Sequence, residues 1–179
     1  MIFPLELMAM RWLWLKKGCH YIVAERAPRY MIGEPDVLGV TQGRYLIEIE
    51  VKRSASDFRA DFKKHHRVNR ELYLRQQARQ LYYLMPDDLA VKLVDEIPPW
   101  AGLMAPHLNQ YTVEVLKDAP VNKESKRLAI KECVKMARQM TSHMMSATQT
   151  MYNLEAQRHQ TEIDPSAWAW DKTVGFYQI

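Results

Sequence analysis

Apolar and polar positions change period several times along the chain, and each change marks an element. Leu5, Met8, Trp12 and Leu15 recur at helical spacing, which predicts an N-terminal helix with one core-facing stripe. Gly18 ends it. Tyr21 to Ala24 and Val37 to Val40 read as short apolar strands. Thr41-Gln42-Gly43-Arg44 reads as a turn, with Gly43 the residue suited to positive φ. From Tyr45 to Lys52 the period is two: Ile47, Ile49 and Val51 on one face, Leu46, Glu48, Glu50 and Lys52 on the other. Ser54-Ala55-Ser56-Asp57 has the spacing of a capping box, so a helix is expected to begin there, with Phe58, Phe62 and His65 on one stripe. Gln80 to Met85 is a further strand stopped by Pro86. A short helix from Asp87 to Val94 and strands near Leu103–Ala105 and Thr112–Val115 follow.

Asn122 is the expected cap of a long helix reaching Gln149 or beyond. Its apolar seam is Ala129, Cys133, Met136, Met140 and Met144, read as core packing. The order α-β-β-β-α-β-α-β-β-α predicts a mixed α/β domain, with a central sheet of four or five strands flanked by helices. Residues 1–149 form that domain in this reading. Residues 150–179, which contain Trp168, Trp170, Phe176 and Tyr177, form an extension suited to packing or oligomerisation.

Composition narrows the class. At 179 residues, 47% hydrophobic and 26% charged, the chain fits one folded domain and excludes wholesale disorder. Two cysteines, Cys19 and Cys133, allow neither a disulfide framework nor a four-cysteine zinc site, and they suit a reducing cytoplasm. No apolar run is long enough to span a membrane. The N-terminus lacks the basic start and cleavage site of a signal peptide and carries Glu6 inside its apolar stretch, so a folded helix is expected.

Charge is concentrated. Between Lys52 and Arg79 lie nine basic and three acidic side chains, a local +6, whereas the remainder is −2. One basic patch points to a polyanion; its bland counterpart is a solvated helix face. The chemistry sits just before it. A hairpin joining Asp36 to Glu50 and Lys52 can bring two carboxylates together, and two carboxylates in contact repel unless a cation lies between them. Hard oxygen donors of that kind suit Mg²⁺ or Mn²⁺. The alternative is a surface ion pair across the hairpin, worth 0–1 kcal/mol in the typical case. Glu25, Glu34 and Glu48 are rival ligands, and Arg44 and Tyr45 at the hairpin tip are candidates to enter a groove. The methionine seam, His65, His66 and the cysteines are read as packing or helix surface.

Pro35-Asp36 followed by Glu50-Val51-Lys52 resembles the signature of the PD-(D/E)XK nuclease superfamily. The run Glu50-Val51-Lys52-Arg53-Ser54 through Asp57-Phe58, Asp61 and Lys63 is closer still to MmcB-type DNA repair proteins and similar small phage-encoded proteins. So are Tyr82-Tyr83 with Pro86, Trp100 with Gly102-Leu103, and Lys117 with Ala119-Pro120. The similarity spans roughly residues 5 to 145. It implies a restriction-endonuclease-like core and Mg²⁺- or Mn²⁺-dependent hydrolysis of DNA in repair, recombination or phage DNA processing. Asp36, Glu50 and Lys52 would be catalytic. Asp36, Glu50, the carbonyl of Val51 and Glu6 would hold the metal. Arg53, Arg59, Lys63, Lys64, Arg67 and Arg70 would contact DNA. Many proteins of this fold are homodimers. The alternatives are a non-cleaving DNA-binding protein and a structural or interaction protein, viral in one version, on the same fold. Replacing Lys63, Lys64 and Arg67 with Ala is expected to weaken DNA binding for any sequence and to flatten the slope of log K against log salt by up to about three. Unchanged binding at every salt concentration would leave the patch as solvated surface.

Overall fold

The computed structural model describes residues 4–24, 35–61, 78–107, 109 and 111–158. Its elements follow the expected order: α1 (Leu5–Leu15), β1 (Tyr21–Ala24), β2 (Val37–Val40), β3 (Leu46–Val51), α2 (Ala55–Asp61), β4 (Gln80–Leu84), α3 (Asp87–Leu93), β5 (Gly102–His107), β6 (Thr112–Lys117) and α4 (Ile130–Arg158). All six strands join one mixed sheet in sequence order, one more strand than the upper expectation. β1, β2 and β3 form an antiparallel meander. β3, β4 and β5 run parallel, and β6 returns antiparallel to β5. The helical connections after β3 and β4 fit the parallel pairings, because a parallel crossover needs more chain than a tight turn.

Each face of the sheet is covered. Ile47, Ile49 and Val51 of β3 join Met8, Trp12, Leu13, Tyr82 and Leu84 beneath α1. On the opposite face, Leu81 and Tyr83 pack with Phe58, Ala90 and Leu93 from α2 and α3. Leu38, Val40 and Leu46 pack with Cys133 and Met136 at the start of α4. The polar members of β3 therefore lie between two apolar clusters rather than in water, and the whole strand is buried.

Four local expectations are corrected. The buried stripe of α1 is Met8, Ala9, Trp12 and Leu13, while Leu15 is 58% exposed. At the hairpin tip the positive φ belongs to Arg44, not Gly43. Arg44 is held by reciprocal bonds: its guanidinium donates to the Leu128 carbonyl at 3.1 Å, and the Leu128 N–H donates to the Arg44 carbonyl at 2.8 Å. Asn122 does not cap α4. Its amide donates to the Ala78 carbonyl and its side-chain oxygen accepts from the Glu124 N–H. The helix starts eight residues later, where the Glu132 carboxylate accepts the Ala129 N–H at 2.7 Å, the backward half of a capping box. Finally, the methionine seam is core only at its beginning: Met136 is fully buried and Met140 half-buried, but Met144 is 68% exposed. Ser54 does cap α2, its hydroxyl accepting the Asp57 N–H at 3.1 Å.

The chain divides into compact units at residues 1–140 and 141–179. In the first, Gly102 is the most crowded of the described glycines. A Cβ there would meet the Tyr82 ring at 2.5 Å and the Ala119 nitrogen at 2.7 Å. One of the two obstacles is backbone, so it cannot swing aside. Gly102→Ala is expected to lose about 1–3 kcal/mol to overpacking, read as a lower urea midpoint at constant slope. An unchanged midpoint would show that the β5 end can shift freely.

Candidate functional site

The carboxyl end of β3 collects the predicted residues. The β2–β3 register pairs Val37 with Ile49, so one step further Asp36 faces Glu50. Asp36 precedes β2 and its side chain takes over a ladder position: its Oδ2 accepts the Val51 N–H at 2.8 Å. On the other side β3 pairs in parallel with β4, which puts Glu50 beside Tyr83. The Lys52 N–H donates to the Leu84 carbonyl at 2.9 Å, extending that ladder beyond the strand. Such carboxyl ends of parallel strands are where open α/β sheets place ligands.

Lys52 is the centre of the cluster. Its Nζ lies 2.8 Å from Glu50 Oε2 and 3.4 Å from Asp61 Oδ1. The second carboxyl oxygen of Asp61 accepts the Tyr83 hydroxyl at 3.0 Å. Glu50, Lys52, Asp61 and Tyr83 are all essentially excluded from solvent. The ion pair of the alternative reading is present between Lys52 and Glu50, but it is buried rather than at the surface. A pair this buried carries a desolvation cost of several kcal/mol per ion, and removing one partner typically costs about 3–5 kcal/mol. Burial alone would depress the Lys52 ammonium; Glu50, Asp61 and Asp36 together outweigh it and hold the group above its ordinary value. Lys52 is therefore a fixed positive charge at neutral pH, which suits stabilising negative charge better than accepting a proton.

Asp36 is strained in the opposite sense. Burial raises its carboxyl above the usual range, the Val51 N–H counters this, and the charges of Glu50 and Glu6 raise it further. Glu6, from the first turn of α1, thus belongs to the same corner, although its Oε1 is paired to Arg53 at 2.6 Å. Val51 contributes its N–H to Asp36 and buries its side chain beneath α1. Glu48 is buried on the Glu50 face, registered between Leu38 and Leu81.

The predicted nucleic-acid contacts fare unequally. Arg53 is exposed beside the cluster. Arg59 is exposed but held by both oxygens of Glu96, at 2.6 and 2.9 Å. Lys63, Lys64, Arg67 and Arg70 lie outside the described residues, as do Phe62, His65, His66, Glu25, Glu34 and the tryptophan-rich tail. Tyr45 is clasped by arginines: Arg79 lies 4.2 Å above its ring and Arg127 donates to its hydroxyl at 3.1 Å. Cys19 is inert, its thiol pushed up to about 11 by burial against the opposing effect of Lys17.

Asp61 and Tyr83 were not among the expected site residues. A signal for Asp61 exists, since it follows the buried Phe58 by three positions and shares its helical stripe. Tyr83 joins through the parallel β3–β4 register, which no local pattern encodes.

Among the described residues, no group of three His, Cys, Asp or Glu side chains is gathered closely enough to hold a metal. The residues at this corner that could hold one are Asp36 and Glu50, in facing register positions, with the backbone carbonyl of Val51. That fits a hard cation of the Mg²⁺ type, which commonly uses one or two carboxylates and completes its shell with water and phosphate. Burial is the main cause that raises Asp36 and the Glu50 charge adds to it; such a cation would offset the second.

No family model matches the chain, and no curated protein matches it. A solved structure, the SPO1766 protein of unknown function from Silicibacter pomeroyi, is similar at 21% identity with a TM-score of 0.51. The match covers 92% of this chain and 97% of that one. The likeness extends to the fold alone.

A raised carboxyl binds its proton more tightly folded than unfolded. Its share of the stability is present below the unfolded value, roughly pH 3.9, and is lost as pH rises through the higher folded value. Asp36→Asn is therefore expected to raise the urea midpoint at pH 7, with the gain shrinking towards zero as the pH falls below about 4. A midpoint lowered at pH 7 would show that the Val51 contact outweighs the burial of the charge.

Proposed function

We propose that the chain is a divalent-metal-dependent nuclease that hydrolyses DNA. The observation that carries this reading is the convergence of Asp36 and Glu50 in facing positions at the carboxyl end of β3, with the Lys52 ammonium 2.8 Å from Glu50. The resemblance of the Pro35-Asp36 and Glu50-Val51-Lys52 runs to the PD-(D/E)XK signature supports it, and so does the +6 segment that begins there.

Asp36, Glu50 and the Val51 carbonyl would hold Mg²⁺ or Mn²⁺, with Glu6 beside them. The metal would supply Lewis-acid polarisation of the phosphate and a more acidic bound water. In the reaction a water oxygen forms a bond to phosphorus, the bond to the leaving oxygen breaks, and that oxygen gains a proton. Lys52 supplies positive charge where negative charge grows on the phosphate. Asp61 and Tyr83 fix the ammonium in place, so it need not reorganise as the reaction proceeds. Arg53 and the basic segment from Lys63 to Arg70 would follow the phosphate backbone.

The test is a cleavage panel of single-stranded, duplex, flapped and four-way DNA with Mg²⁺ or Mn²⁺. Wild type is expected to cut at least one substrate. Glu50→Gln, which keeps the size of the side chain and an acceptor for Lys52, is expected to lose about 10²-fold or more in rate, equivalent to roughly 2.7 kcal/mol. A wild-type protein that binds metal and DNA but cuts nothing would point to a recruitment role. Equal rates for wild type and a folded Glu50→Gln protein would remove Glu50 from the chemistry.

A further inference from the structure

The tip of the β2–β3 hairpin, at the opposite end of β3 from Lys52, gathers positive charge that the nuclease reading does not use. The segment between β6 and α4 crosses the amino ends of β3 and β4 and is tied to both. The Asn122 N–H donates to the Arg79 carbonyl at 2.8 Å, and the Leu128 N–H donates to the Arg44 carbonyl at 2.8 Å. Arg79 donates its own N–H to the Leu46 carbonyl at 2.7 Å. Three arginines from three separate stretches of chain, Arg44, Arg79 and Arg127, are thereby held at the tip. The Arg79 guanidinium lies 4.2 Å from the Tyr45 ring centre and the Arg127 guanidinium 5.4 Å. Arg127 donates to the Tyr45 hydroxyl at 3.1 Å, and Arg44 to the Leu128 carbonyl at 3.1 Å.

This cluster has no acid to balance it. Among the described residues, Arg44, Arg79 and Arg127 form no ion pair; the cations that do are Lys52, Arg53 and Arg59. The acids closest in sequence do not serve. Glu132 accepts the Ala129 N–H, and the exposed Glu124 forms no ion pair either. Lys123, Lys126 and Lys131 add exposed cations to the same stretch. Two guanidinium groups bound to one ring are separated by no more than about 10 Å, a single screening length at 0.1 M salt, so they repel. The ring face attracts each of them but does not cancel that repulsion. The Tyr45 hydroxyl registers the local field. The hydrogen bond from Arg127 pulls it below its ordinary value, burial opposes this, and the charges of Arg127 and Arg79 add to the lowering.

We propose that Arg44, Arg79 and Arg127 form an anion site for a phosphate group, either a phosphodiester of nucleic acid or a free phosphate ester. A guanidinium has five N–H donors in a fork that matches phosphate oxygens. Arg44 and Arg127 each direct one described hydrogen bond into the protein, which leaves most of these donors for a ligand. Donors arriving from three stretches of chain suit a tetrahedral anion better than a planar carboxylate. Along the strand Tyr45 is about 23 Å from Lys52, so a phosphate held here is not one that the Asp36–Glu50 corner would cut. The site does not rest on the nuclease reading.

The test uses the full chain with EDTA present, which silences any divalent-metal contribution. Binding of inorganic phosphate is followed by calorimetry and binding of a labelled duplex oligonucleotide by fluorescence anisotropy. Arg79→Gln/Arg127→Gln is expected to weaken at least one ligand by about 10-fold or more. Arg11→Gln/Lys92→Gln, which removes the same charge from α1 and α3, is expected to stay within about 3-fold of wild type. A loss with DNA identifies a phosphodiester as the source, and the slope of log K against log salt then flattens by about two. A loss with inorganic phosphate alone identifies a free phosphate ester. Equal effects of the two pairs would overturn the proposal, as would a wild-type chain that binds neither ligand or a Gln pair that binds both unchanged. If circular dichroism shows the Gln pair unfolded, Arg79→Lys/Arg127→Lys takes its place. It keeps the charge without the fork and is expected to lose about 3-fold or more in affinity for the ligand that binds. A folded Lys pair that binds as wild type does would overturn the site as well.

Discussion

One buried cation holds the centre of this molecule together. The Lys52 ammonium, closed off from water, is shared between Glu50 on β3 and Asp61 on α2, and Tyr83 ties Asp61 to β4. Three elements thus meet at one charge. The sheet around it could not tolerate its partners alone, because two carboxylates buried between apolar clusters would each carry an uncompensated desolvation cost. The arrangement also explains the position of α2. Its cap at Ser54 begins the helix two residues after Lys52, and its single buried stripe, Phe58 and Asp61, serves packing and charge pairing in turn.

Much of the fold was legible. The period-two alternation of β3, the Ser54 cap and the Pro86 stop are local signals, and the elements they predict exist within a residue or two. What failed was non-local. Asn122 looks like a cap because its side chain suits one, but a competing carbonyl at Ala78 and a neighbouring N–H at Glu124 take its hydrogen bonds. Leu15 fits the apolar period of α1 equally well, yet it is exposed and no described element covers it. The positive φ at Arg44 defeats the preference for glycine because two bonds to Leu128, more than eighty residues away, repay the local strain.

The site was legible to the extent that it is made of neighbours in sequence. Asp36, Glu50 and Lys52 can be found by counting positions on a hairpin. Their burial cannot, since alternation with polar residues ordinarily marks a wet face. In β3 both faces are covered, and the polar side is roofed by α2 and α3 on one flank and by α4 on the other. An exposed pair and a buried triad therefore present the same string of letters and differ greatly in energy. Tyr83 is the clearest case, because its place beside Glu50 depends wholly on a parallel register.

The sequence distances within this charge cluster bear on how the chain can fold. Lys52 reaches Glu50 across two residues and Asp61 across nine, while Asp36 reaches the Val51 N–H across fifteen and Tyr83 reaches Asp61 across twenty-two. Closing short loops costs little entropy, so the cation can meet its carboxylates while the surrounding chain is still hydrated. Were β4 to dock after that pairing, it would dehydrate a pair that is already matched, rather than three separate ions. Were the partners drawn from the distant ends of the sheet, each charge would have to shed its water before its counterion arrived, and that step would weigh on the folding barrier. Short-range pairing of this kind lets a polar cluster sit in the core without becoming an obstacle on the way there.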